Sequence, residues 1–188
     1  MTTSLSSKPM NNNLPWSWGE AVVSGKEIPG PHPEIMRAAT RAVGVRASPG
    51  RIYLWLCQLR RAPYSYDWID NFGRRSPRQA DPELCHLERG QSVMTIFTLT
   101  DFEPDASITL RMKPGWPRNA FGDLSLQYRA ERIDDEFSRL SVVLWMPPIG
   151  KVLAKQRRYL LAWGDLMMMR KQLLVLRNLA ENDDASGR

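Results

Sequence analysis

The side chains best suited to acid–base chemistry lie close together in one short aromatic segment. This segment carries hydroxyl, carboxylate and amide groups on Tyr64, Tyr66, Asp67, Asp70 and Asn71, together with the indole of Trp68. A tyrosine or a carboxyl group in an apolar pocket can have a shifted pKa and exchange protons with a bound molecule. We therefore take Tyr66 and Asp67 as candidate catalytic residues, and we expect Tyr64, Tyr66, Trp68 and Asn71 to contact a ligand.

A structural role for this segment is the alternative, and we favour it for the carboxylates. Asp67 and Asp70 could cap helices or form ion pairs with the two arginines that follow, while Trp68 fills the core. On a helix the two aspartates would share a face. Because no histidine or third carboxylate lies nearby in the sequence, we predict no metal site.

Motifs for cofactor binding and covalent catalysis are missing from the sequence. It contains no glycine-rich phosphate loop and no zinc-ligand spacing, so we predict no cofactor. Cys57 lies among helical apolar residues and is expected to be inert. Cys85 and His86 are neighbours in a loop, where adjacent residues rarely reach the contact that a Cys–His nucleophile needs. Histidines occur only in predicted loops, at His32 and His86, so no strand supplies a histidine base.

The net charge of +6 permits attraction to an anionic partner, but the charge pattern argues against nucleic acid. Basic residues occur in short clusters, and aromatic residues do not interleave with them as in an RNA-recognition sheet. No apolar stretch reaches the ~20 residues that span a bilayer, and the polar N-terminus lacks the apolar region of a signal peptide. We expect a cytoplasmic protein without a membrane span, and a homodimer is possible.

Hydrophobic periodicity then places the elements that would position these residues. Alternation over residues 35–46 predicts a first strand, and Ser48 followed by Pro49 predicts the start of a helix. Four further alternating segments between residues 93 and 146 predict an antiparallel sheet with one covered face. Turns are predicted at residues 114–117 and 134–136. On this sheet we expect ligand contacts from Ile96, Leu126, Tyr128, Val142 and Leu144.

A helical pattern extends from residue 149 to residue 182, where apolar residues recur every three or four positions. We expect the stripe Tyr159, Trp163 and Met167 to face the ligand, with plain core packing as the alternative. The methionine suits an adaptable pocket because its thioether is flexible and polarisable.

The order of elements predicts an α+β fold in which a curved antiparallel sheet wraps around a long C-terminal helix. Residues 1–33 would form a flexible N-terminal extension, residues 34–182 the domain, and residues 183–188 a tail. Trp16 and Trp18 would pack the extension onto the domain or meet a partner. A bent sheet gripping one helix leaves an apolar space between them, which suits small hydrophobic molecules.

Several segments resemble the SRPBCC superfamily, which includes START lipid-transfer domains, birch-pollen-allergen-like proteins and bacterial polyketide cyclases. The resemblance covers residues 34–180 and rests on Arg41–Pro49, Trp55–Arg60, Ala62–Pro77 and Leu160–Leu174, of which Ala62–Pro77 is the most specific and is similar to uncharacterised bacterial members. It implies a helix-grip fold with a cavity between the sheet and the C-terminal helix.

The resemblance also implies a function, namely binding of a small hydrophobic molecule that is lipid- or polyketide-like. The alternative is an enzyme of the polyketide cyclase/dehydratase type that uses the same cavity, with Tyr66 or Asp67 moving protons. A third possibility is a partner-binding module that uses the basic surface. One fold hosts many functions, so the resemblance alone does not choose among them.

Overall fold

A computed structural model describes residues 13–19, 33–65, 76–150 and 153–186 of the chain. The strands and helices, in chain order, are β1 Ser17–Trp18, β2 Arg37–Val45, α1 Pro49–Cys57, β3 Ser92–Val93, β4 Phe97–Glu103, β5 Ser107–Met112, α2 Trp116–Phe121, β6 Ser125–Arg132, β7 Ser138–Met146 and α3 Ala154–Ser186. Short 3-10 helices lie at Pro33–Ile35, Gln58–Arg60 and Pro82–Cys85.

The strands form one curled sheet in the order β1-β2-β7-β6-β5-β4-β3. β1 runs parallel to β2, and every other neighbouring pair is antiparallel. The predicted antiparallel sheet with a long C-terminal helix is therefore confirmed. β1 is an addition that periodicity did not predict, because a strand of two residues leaves no alternation to detect.

Register across the sheet sets which side chains share the inward face. Ala39, Leu144, Leu126 and Leu110 lie side by side in one row, and Arg41, Val142, Tyr128 and Ile108 lie in the next. All eight side chains are buried. Apart from Arg41 and Tyr128, this row is apolar. Because a buried charge is costly unless it is paired, Arg41 needs a counterion from the element that packs on this face of the sheet.

The helix α3 lies against this face. Its 33 residues would extend about 50 Å, long enough to cross the sheet. It contacts β2, β7 and α1, and it buries Ala162, Leu166, Met169, Leu173 and Leu176. No helix in the described ranges is both long enough and apolar enough to cross a membrane.

Local signals account for the start of α1 and α2. The Ser48 hydroxyl accepts a hydrogen bond from the Arg51 N–H at 3.3 Å, and Pro49 occupies the first turn, as predicted. The turn predicted at residues 114–117 instead leads directly into α2, after the chain reverses at Gly115 with φ of 97°. A φ in this range favours glycine, which has no Cβ to clash.

Candidate functional site

A cavity of about 420 Å³ lies between the sheet and the N-terminal half of α3. The sheet side consists of apolar residues, with Pro63 and Ser65 beside them, and α3 supplies the opposite wall. The lining residues are Pro63, Ser65, Met94, Ile96, Phe97, Met112, Phe121, Leu124, Leu126, Leu144, Leu160, Leu161, Gly164, Asp165, Met168, Met169 and Gln172. Four of them are methionines, whose flexible thioethers let a pocket adapt to different ligand shapes.

Three polar side chains interrupt this apolar wall, and two of them, Asp165 and Gln172, come from α3. The Asp165 carboxylate accepts a hydrogen bond from Arg41 Nη2 at 3.1 Å. The side chain of Arg41 is completely buried, whereas Asp165 is 13% exposed. Arg41 also donates from Nη1 to the Thr40 carbonyl at 2.9 Å, so this ion pair is fixed from the sheet side.

Burial and the neighbouring arginine act in opposite directions on Asp165. Removal of water raises the pKa of this carboxyl to about 6, although the positive charge and hydrogen bond of Arg41 lower it in part. A carboxyl group with this pKa exchanges its proton near neutral pH, which is the property that general acid–base chemistry requires.

Gln172 links α3 to β6 of the sheet and to Pro63, which also lines the cavity. Its Oε1 accepts a hydrogen bond from the Tyr128 hydroxyl at 2.7 Å, and its Nε2 donates to the Pro63 carbonyl. Tyr128 is completely buried behind the cavity wall. Burial, with a smaller contribution from the Asp165 charge, raises the pKa of Tyr128. The tyrosine therefore stays protonated and holds Gln172 in place.

The structure places some of the predicted contact residues on the cavity wall and others behind it. Ile96, Leu126 and Leu144 line the cavity. Val142 and Tyr128 are buried beside the wall. Tyr64 is buried with its ring edge-on to Trp55 and lines a smaller space of about 110 Å³. Tyr66, Asp67, Trp68 and Asn71 lie outside the described residues.

The predicted face of α3 is corrected by the structure. Tyr159, Trp163 and Met167 do not line the cavity, and they are 45%, 37% and 57% exposed. The wall is formed instead by the face that carries Leu161, Asp165 and Met168, together with neighbouring residues. Apolar residues occur on both faces of this half of the helix, so spacing alone could not determine which face turns inward.

Sequence reasoning also missed the polar pair of the site, although a signal was present. Arg41 has the parity of the apolar residues Ala39, Val43 and Val45 in the first strand, which places a charge in the core. A buried arginine requires a counterion. Asp165 is the acidic residue nearest to the middle of the predicted apolar helix stripe, and it fulfils that requirement.

The cysteines and the N-terminal tryptophans take structural positions. Cys57 and Cys85 are both free, and burial raises the pKa of the Cys57 thiol. Trp16 is buried under the guanidinium of Arg37, which lies 3.7 Å from the ring centre. The Arg170 guanidinium lies 5.5 Å from the ring centre of Trp18. In the described ranges, no group of three metal-ligating side chains could hold a metal ion.

Comparison with known proteins is informative at the level of the fold. No protein-family model and no curated protein matches the sequence. The Zhui aromatase/cyclase from Streptomyces sp. R1128 superposes with a TM-score of 0.52 at 20% identity, over 81% of this chain and 98% of that chain. The di-domain aromatase/cyclase StfQ, from the steffimycin biosynthetic pathway, superposes with the same TM-score of 0.52 at 12% identity.

StfQ is matched over 80% of this chain and 52% of its own, so the chain spans about half of that di-domain protein. Both superpositions cover about four fifths of this chain, so the likeness concerns the fold. The fold of this chain is therefore the helix-grip fold of these cyclase neighbours, as the resemblance found in the sequence implied.

Proposed function

We propose that the protein binds a small, mainly apolar molecule in the cavity between the sheet and α3, with Asp165 and Gln172 holding its polar group. The observation that supports this most strongly is the cavity itself. Its volume of about 420 Å³ falls in the range of small-molecule sites, and an apolar wall with a few convergent polar groups is typical of them.

Burial of apolar ligand surface would supply most of the binding free energy, at roughly 25 cal/mol per Å² before the cost of ordering the ligand. Polar groups would then set the orientation. Gln172 is held by Tyr128 and the Pro63 carbonyl, and Asp165 is held by Arg41. Fixed partners of this kind favour a ligand with a hydroxyl or ketone group at the matching position.

A second candidate is an enzyme of the cyclase/dehydratase type, and the shifted pKa of Asp165 favours it. The ionised carboxylate would accept a proton from the carbon next to a ligand ketone. The resulting carboxylic acid would return that proton to the neighbouring hydroxyl group as it leaves as water, which restores the carboxylate. The aromatase/cyclase names of the structural neighbours agree with this chemistry, while Tyr66 and Asp67 stay predicted candidates.

Native mass spectrometry of the purified protein tests binding directly. We expect a bound mass that is released on denaturation, or binding of the neutral fluorophore N-phenyl-naphthylamine with an accompanying rise in melting temperature. A protein that carries no such mass and neither binds nor is stabilised by the fluorophore would contradict the proposal.

The two candidates are separated with the double variant Arg41→Met/Asp165→Leu, which removes both charges together. A carrier should keep fluorophore affinity within about threefold, because apolar burial dominates binding. An enzyme should lose turnover of a β-hydroxyketone substrate while that affinity is kept. Turnover that persists in the double variant would exclude Asp165 as the proton-transfer group.

A further inference from the structure

A second, basic groove lies at the N-terminal end of α3, and it shares Leu160 with the apolar cavity. Its volume is about 490 Å³, and it is lined by Trp16, Arg37, Lys155, Gln156, Arg158 and Tyr159, with Leu160 at its edge. We call it the basic groove.

The aromatic residues give the groove a fixed base. Trp16 is only 8% exposed, and its ring lies 6.3 Å from that of Tyr159. The Arg37 guanidinium lies over the Trp16 ring at 3.7 Å, which leaves the N–H groups along its edge free to donate elsewhere. Arg158 is held by a hydrogen bond from its Nη1 to the Ile35 carbonyl at 3.0 Å.

The positive charge of the groove is not balanced within the described part of the chain. No carboxylate there lies within ion-pair distance of Arg37, Lys155 or Arg158. Burial and the nearby charge of Arg37 lower the pKa of Arg158, so the two arginines repel each other. An anion between them would relieve this repulsion.

The N-terminal end of α3 adds to the unbalanced positive charge of the groove. Lys155, Arg157 and Arg158 occupy its first turns, where no acidic residue is present. The N-terminal end of a helix carries a partial positive charge, so cations placed there are destabilising and an anion is favoured. Basic side chains and the helix end therefore favour the same type of ligand.

We propose that the basic groove binds a phosphate group. Arginine matches phosphate with paired hydrogen bonds from its planar fork, and lysine adds a point charge. The doubly charged phosphate suits a site with three cationic side chains better than a single carboxylate does. The phosphate could belong to a free phosphate ester or to the headgroup of an anionic lipid, since Leu153, which precedes α3, and Leu160 and Met167 on α3 are exposed apolar side chains.

Leu160 connects this site with the proposed function, because it lines both the basic groove and the apolar cavity. A molecule with an apolar body and a phosphate at one end would occupy both sites across Leu160. This second step rests on the proposed function, whereas phosphate binding by the groove does not.

The test is an NMR titration of the full chain with inorganic phosphate and with phenyl phosphate at low salt. A parallel arm measures sedimentation with phosphatidylcholine vesicles that contain or lack phosphatidic acid. The variant Arg37→Gln/Lys155→Gln removes two groove charges, and Arg78→Gln/Arg132→Gln removes two exposed charges that do not line the groove as a matched control. Lys155→Gln alone changes an exposed side chain that forms no ion pair with the part of the chain that the structure describes, so this variant should fold normally.

We expect the groove variant to weaken phosphate affinity by at least about tenfold and the control by less than about twofold. Binding of the soluble phosphates identifies a free ester as the source, and binding of acidic vesicles alone identifies a lipid headgroup. Absence of binding in both arms, or equal losses in the two double variants, would overturn the proposal. Fluorophore binding by the groove variant reports separately on the apolar cavity, so the failure of either proposal is recognised independently.

Discussion

Arg41 on β2 and Asp165 on α3 form an ion pair of 3.1 Å in which the arginine is completely buried. The pair joins the sheet to the helix beside the cavity, and Asp165 is also a lining residue. A buried pair has lost the hydration of both charges, so its main value is geometric rather than a large gain in stability. It fixes the carboxylate at the wall of an apolar space.

A double-mutant cycle on this pair tests its energetics. Because each single change leaves a buried charge or an unpaired donor, we expect Arg41→Met and Asp165→Leu each to lower the free energy of unfolding by about 3–5 kcal/mol. The double variant should lose much less than the sum, since neither charge is then buried alone. Urea unfolding at neutral pH measures all four proteins, and simple additivity would contradict the buried pairing.

The raised pKa of Asp165 predicts a pH dependence of stability with a definite sign. The folded carboxyl, with a pKa of about 6 against an ordinary pKa of 3.8, binds more protons than the unfolded one between these two pH values. Its contribution to the unfolding free energy therefore falls as the pH rises from about 4 to about 6, by on the order of 3 kcal/mol. Arg41 stays charged throughout this range, and Tyr128 stays neutral.

Carboxyl ¹³C chemical shifts of Asp165 would follow this titration directly, and urea unfolding across the same pH range would follow its effect on stability. The double variant Arg41→Met/Asp165→Leu is the control, because it lacks the carboxyl and should lose this part of the slope. A midpoint near the value of an ordinary aspartate would show that burial does not govern the group.

The turn between β3 and β4 carries a local conflict that a substitution should relieve. Met94 and Thr95 have φ of 46° and 64°, the left-handed region that β-branched residues such as threonine rarely adopt. We expect Thr95→Gly to raise the free energy of unfolding by about 1 kcal/mol. Thr98→Gly within β4 is the matched control and should lower it, because glycine weakens a regular strand. Thermal unfolding compares the two, and destabilisation by both would contradict strain at Thr95.

The fold could be predicted from the sequence because the main strands and the last helix lie in long segments of periodic hydrophobicity. Alternation in β5, β6 and β7 determines which side chains face inward, which is why Leu126 and Leu144 were placed correctly on the inner face. Because side chains alternate between the two faces of a strand, only two orientations are possible, and the one that buries the apolar side chains is favoured.

The helix wall of the site was harder to predict, since a helix can be turned to many angles about its axis. Tyr159 and Met167 are exposed and do not line the cavity, whereas Asp165 lines it although charged. A pattern based on polarity therefore selects the wrong face of α3 at this point. Sequences break local rules of this kind at functional sites, where the exception is itself informative.

Substitutions of two adjacent methionines test whether a ligand occupies the cavity walled by the Asp165 face of α3. Met168 lines the cavity and is 38% exposed, whereas Met167 is 57% exposed and does not line it. We predict that Met168→Trp weakens N-phenyl-naphthylamine binding by at least about tenfold, because the indole fills the space, and that Met167→Trp changes it by less than about twofold. Fluorescence titration gives both values, and equal effects of the two variants, or a larger effect at Met167, would contradict the account.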